Sequence, residues 1–209
     1  MVDVVFAGDW HGNLPWATSR IQSVGASGVT TILHVGDFGL WPGNSGKRYL
    51  QVIEMTCARV GVELLVTPGN HEDWARLTAQ WANPKRRDPE SGARLPLQLA
   101  EHIQILPRGH RFTIGRTNFL SFGGAASVDR HLRTEGVDWW PEEMPSEAAI
   151  SRRSGQGVDP AGKGRPGRAL NARGVNRRRL SHRHRQVSPS SGAASTIATR
   201  RSGASRRSQ

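Results

Sequence analysis

The chain has 209 residues with 29 Lys+Arg against 17 Asp+Glu, a formal charge of +12, and is long enough for one domain of ordinary size or one domain with an appendage. A single cysteine excludes an internal disulfide framework, and no apolar run approaches the roughly 20 residues of a membrane-spanning helix. The charge is uneven: residues 1–150 hold 14 basic and 16 acidic side chains, whereas the last 59 hold 15 basic ones and only Asp159, so the basic balance does not argue for a basic fold.

The N-terminus enters a strand at once, without a basic n-region and apolar h-region, so a cytoplasmic protein is the expectation. "VDVVFAG", "TTILHVG" and "VELLVTPG" are short apolar runs, each closed by glycine, and predict three strands. Between them "LPWATSRIQSVGASG" and "SGKRYLQVIEMTCARVG" carry apolar residues at helical spacing, with Tyr49, Ile53 and Cys57 on one side. Strands joined by helices predict parallel βαβ units, whose ligands bind beyond the carboxyl ends of the strands. "EDWARLTAQWA" predicts a third helix and "NPKRRDPESGARLP" a polar loop. "IQILPRGHRFTIGRTNFLSFGGA" predicts short strands separated by glycine turns, closer to an antiparallel meander. The fold class is therefore α/β, changing along the chain from wound to layered.

Each of the first three strands delivers polar residues where it ends: "GDWHGN", "GDFG" and "GNHED". Asp9, His11, Asp37, Asn70 and His71 are thus candidates to converge on one rim of the sheet. Carboxylate, imidazole and amide oxygen suit divalent ions such as Mn, Fe or Zn, and the scarcity of thiols argues against a structural Cys-type zinc site. Taken singly, an Asp after Gly is an ordinary turn residue and a lone His an ordinary hydrogen-bonded group. Three such blocks at three strand ends point to a metal centre.

These three blocks resemble the D-x-H, GD and GNH[D/E] blocks of the calcineurin-like metallophosphoesterases. "LPRGHRFTIGRTNFLSFGGAASVDRHLRTEGVDWWPEE" is similar to the middle of bacterial and phage members. The likeness covers about residues 2 to 147. It implies two facing mixed sheets flanked by helices and a site for two divalent metal ions. Asp9 and His11 would bind the first metal, Asp37 would bridge both, Asn70 would bind the second, and His71 would stabilise or protonate the departing oxygen of a phosphomonoester or phosphodiester.

The family pattern also includes a Thr-His-like strand end and a Gly-His-x-His turn, and neither block is present. The late pair His182 and His184 sits in "LSHRHRQ", where adjacent arginines oppose cation binding. His34, His102, His110 and His131 are expected to be strand or surface residues. The resemblance therefore implies a domain over residues 1–147 whose C-terminal strands are missing, one retained metal ion and impaired activity.

Residues 148–209 contain none of the 7 Trp and 5 Phe and are dominated by Arg, Gly, Ser, Ala and Pro. Such a segment cannot offset the entropy of ordering its backbone and is expected to be a disordered tail. Its composition is that of a GC-rich gene read out of frame, so a shifted frame or replaced terminus after about Ile150 is expected. Clustered arginines can neutralise nucleic-acid phosphates, but the tail has no aromatic residue to stack on bases, and a solvated basic terminus is the simpler reading. A non-catalytic metal-binding scaffold is the remaining alternative. Neither the phosphate-ester substrate nor the oligomeric state is specified by these residues.

Overall fold

The computed structural model describes residues 3–147 and 149–150, together with the backbone of one strand at Arg168–Leu170. The elements run β1 (Val5–Ala7), α1 (Leu14–Ala26), β2 (Thr31–Val35), α2 (Gly43–Val60), β3 (Glu63–Thr67), α3 (Trp74–Ala82), β4 (Leu97–Ala100), β5 (Ile103–Ile105), β6 (Arg111–Ile114), β7 (Thr117–Ser121) and β8 (Arg168–Leu170). The first sheet has the order β1-β2-β3-β5-β4, parallel except for the antiparallel edge strand β4. The second is β6-β7-β8, with β6 and β7 antiparallel and β8 parallel to β7.

Strand periodicity separates two cores. Ile32, Leu64 and Val66 turn to one face of the first sheet, where they join Ile21 of α1 and Tyr49, Ile53 and Cys57 of α2 in the larger buried cluster. The neighbouring positions Leu33, Val35 and Leu65 turn to the other face and meet Phe112, Ile114 and Phe119 of the second sheet. The layers are thus helices, parallel-rich sheet, and a smaller second sheet. Cys57 is buried and free, and burial pushes its thiol up to about 12, so it packs as an inert apolar group. No helix among the described residues is long and apolar enough to cross a membrane.

The three parallel strands and two connecting helices fall where the apolar periodicity predicts them. Three features differ. The third helix starts at Trp74, because Asp73 caps it by accepting a hydrogen bond from Arg76 N at 2.9 Å; Glu72 is left outside the helix. "PLQLA" supplies an extra strand, β4. β5 belongs to the first sheet, parallel to β3, so only β6 and β7 form the expected antiparallel hairpin. The segment 148–209, expected to be a tail, lies outside the described residues except at 149–150 and at β8, whose backbone registers Arg168 opposite Phe119.

Candidate metal centre

β1, β2 and β3 run parallel in close register, Ala7 opposite His34 and Val35 opposite Thr67, so the loops that follow them leave the same end of the sheet. The first carries Asp9 and His11, the second Asp37, and the third Asn70 and His71. One ligand atom each from Asp9, His11 and Asp37 lies within 4.8 Å of the others. His11 Nε2 is 2.8 Å from Asp9 Oδ1 and 3.8 Å from Asp37 Oδ2. Asn70 and His71 line a cavity of about 370 Å³ with Asp9, Asp37 and Val128. The rings of His11 and His71 meet edge to face at 4.8 Å between centroids.

The backbone is strained at the same residues. Among the described residues the only non-glycine positions with positive φ are Asp9 (63°), His11 (43°) and Asp37 (56°). A left-handed conformation costs an ordinary L-residue about 1–2 kcal/mol, and it persists only where surrounding structure imposes it.

Here the imposition is an interlock of loops. Asp9 N donates to Gly36 O at 2.9 Å, and Trp10 N and His11 N both donate to Asp37 O at 2.8 Å. Gly39 is required because a Cβ there would lie 2.3 Å from Gly12 N, and Gly69 because a Cβ would lie 2.0 Å from Asp37 Oδ1. His71 N donates to Asp37 Oδ1 at 3.0 Å, which leaves Oδ2 on the side of His11.

The second loop is held from inside by Glu72. Its carboxylate accepts hydrogen bonds from Phe38 N at 2.6 Å, Gly39 N at 3.2 Å and Leu40 N at 2.8 Å, and Asp73 N donates to Leu40 O at 2.9 Å. Glu72 is 1% exposed. Burial pushes its carboxyl up to about 7 in spite of those three N–H groups, and the nearby Asp37 charge acts in the same direction.

A fourth loop, after β7, closes the cavity from the side of the second sheet. Gly124 N donates to Pro68 O at 2.9 Å. Asn70 Nδ2 donates to Ser127 Oγ at 3.0 Å, and His71 Nε2 lies 3.6 Å from Asp129 Oδ2. Burial lowers the pKa of His71, while Asp37 opposes that shift and Arg133 adds to it.

The structure therefore brings Asp9, His11 and Asp37 into one cluster and sets Asn70 and His71 beside them. The donor set, two carboxylates and an imidazole, is close to the spacing of ligands around one divalent ion, whose bonds to nitrogen and oxygen are about 2.0–2.2 Å, so these residues fit a cation. His182 and His184 lie outside the described residues. Glu72, Ser127, Asp129, Arg133 and Glu143 are not singled out by sequence reasoning. Glu72 follows the Asn-His pair directly, and its position one residue before a capping Asp is the available signal; the others have none beyond belonging to one polar loop.

The family model described as calcineurin-like phosphoesterase matches residues 2–172 of the chain. No curated protein gives a significant match.

Proposed function

This chain belongs to the calcineurin-like phosphoesterases, a family that hydrolyses phosphate esters with divalent metals, and from that premise we propose how its own residues carry out the reaction. Asp9, His11 and Asp37 hold one divalent ion, Mn, Fe or Zn, and Asp37 with Asn70 holds a second, weaker one. Bound there, the ions supply positive charge against phosphoryl oxygens and water of lowered pKa.

The protein groups do the rest. Asp37 is fixed for a bridging role because one oxygen is tied to His71 N while the other turns toward His11. His71 presents Nε2 to the departing oxygen; burial lowers its pKa, and the charges of Asp37 and of Asp129, 3.6 Å away, act against that lowering. Val128, 81% exposed on the cavity wall, offers an apolar surface to the leaving group.

The observation that carries this reading is the convergence of Asp9 and His11 from the end of β1 with Asp37 from the end of its parallel neighbour β2, each in a left-handed backbone conformation. Three protein ligands suffice for a catalytic divalent site, whereas two rarely hold an ion against water, so about one tightly bound ion per chain is expected. The test is a metal-supplemented assay on aryl phosphomonoester and phosphodiester substrates together with metal analysis. Asp37→Ala should abolish turnover and the tight ion together. Metal content without Asp37-dependent turnover would identify a non-catalytic metal-binding protein instead.

A further inference from the structure

Donor counting around one hydroxyl determines how Asn70 faces the cavity. Ser127 Oγ has one proton and two lone pairs. Ser127 N donates to Glu143 Oε1 at 2.7 Å, and Oγ lies 2.6 Å from Oε2 of the same carboxylate, which can only accept, so the hydroxyl proton is committed there. Arg133 Nη1 can only donate and occupies one lone pair at 2.8 Å. The remaining lone pair must receive a proton, so the Asn70 atom 3.0 Å away is the amide nitrogen. Asn70 Oδ1 is thereby the amide atom left to the cavity, beside Asp37 and His71.

We propose that Ser127 and Glu143 are positioning residues for Asn70: they direct one hydroxyl so that an amide oxygen, and not an NH2 group, is offered to a cation. This rests on the reading of Asn70 as a ligand of the weaker ion. The device is built into a rigid frame. Glu143 is 1% exposed, and its backbone carbonyl accepts from Arg108 Nη2 at 2.5 Å. Arg108 also donates through Nε to Gly123 O at 2.8 Å and stacks 3.8 Å over the ring of Trp74. Arg133 is anchored in turn by donating to Asp138 O and lies 3.7 Å from Glu143 Oε2.

The direction of the hydroxyl makes Glu143→Gln informative. The backbone N–H of Ser127 can only donate, so the new side chain must turn its oxygen there and its NH2 to Ser127 Oγ. Oγ then accepts from that NH2 and from Arg133. Its own proton is left for Asn70, whose amide turns over to accept it and presents NH2 to the cavity. Ser127→Ala only releases the amide, and Ser127→Thr keeps the hydroxyl.

The test is calorimetric titration of Mn²⁺ into the metal-free full-length chain, with the metal-free melting temperature of each variant measured alongside. The weaker Mn²⁺ step should lose about 10–100-fold in affinity in Glu143→Gln, lose less in Ser127→Ala, and return toward the wild-type value in Ser127→Thr, while the tight step is unchanged. Neither Glu143→Gln nor Ser127→Ala should weaken that step further in an Asn70→Ala background, because the effect passes through the amide. If Glu143→Gln does not fold, the two Ser127 variants and their combinations with Asn70→Ala decide. A wild-type chain without a weaker step, or one whose weaker step is as tight in Asn70→Ala as in the wild type, overturns the ligand reading of Asn70. A weaker step that loses affinity in Asn70→Ala but is intact in Glu143→Gln and Ser127→Ala, or that these two weaken as much in the Asn70→Ala background as in the wild type, leaves that reading standing and overturns the positioning role.

Discussion

Two histidines outside the cavity give the protein opposite pH dependences. His34 on β2 is fully buried, and neither ring nitrogen finds a partner among the described residues; instead Trp10 and Phe38 meet the ring edge to face at 4.5 and 5.3 Å between centroids. Burial, reinforced by His11, lowers its pKa to about 3. A depressed pKa in the folded state means that stability is complete above the unfolded value of about 6.5 and is lost as pH falls toward 3, at about 1.4 kcal/mol for each unit. His102 is the reverse. The Glu54 carboxylate, 2.7 Å from its Nδ1, holds the ring above its ordinary pKa, so its contribution is present below about 6.5 and lost as pH rises through the raised value. Chemical denaturation across pH should show both limbs. His34→Leu is expected to flatten the acid limb and Glu54→Gln the alkaline one; an acid limb unchanged in His34→Leu would assign the loss to other groups.

Among the elements, the loops at the strand ends depend on one another more than on the strands that precede them. Glu72 shows the dependence most directly, because its side chain terminates three backbone N–H groups that have no helix or ladder to join. Leaving a buried donor unsatisfied costs about 1–3 kcal/mol, so Glu72→Ala should lower unfolding free energy by several kcal/mol, read by denaturant titration. It should also weaken metal binding through Asp37, which occupies the same loop; a variant with unaltered stability would show that water replaces the carboxylate at no net cost. The same dependence explains what was legible in the sequence. The strands and helices follow from apolar periodicity, a local property, and the residues placed at their ends are Asp, His and Asn types that stand out there. Glu72, Ser127 and Glu143 were not legible, because a buried acceptor is recognised by donors that come from elsewhere in the chain: Glu72 serves residues more than thirty positions earlier, and Ser127 meets Asn70 across two sheets. The sheet to which β5 belongs is not legible for a similar reason, since three apolar-alternating residues fit a meander or a parallel ladder equally well and only the pairing with β3 decides.

At the scale of the molecule, and among the described residues, the thinner apolar layer is the space between the two sheets. The larger cluster of described residues holds twenty buried side chains, whereas the smaller has Leu33 and Phe119 buried with half-buried neighbours such as Phe6 and Phe112 around them. β7 carries Phe119, stacked on Phe112 at 5.2 Å between centroids, and it is the central strand of its sheet because β8 pairs along its second edge. That pairing lies just inside the end of the family match at residue 172. A chain shortened to residue 172 keeps β8, while one shortened to residue 160 leaves the N–H and C=O groups of β7 unpaired beside a thin apolar layer, an edge that templates aggregation. The first should melt with the full chain and the second several degrees lower, with more light scattering on heating. Equal melting of the two shortened chains would show that β8 adds nothing to the sheet.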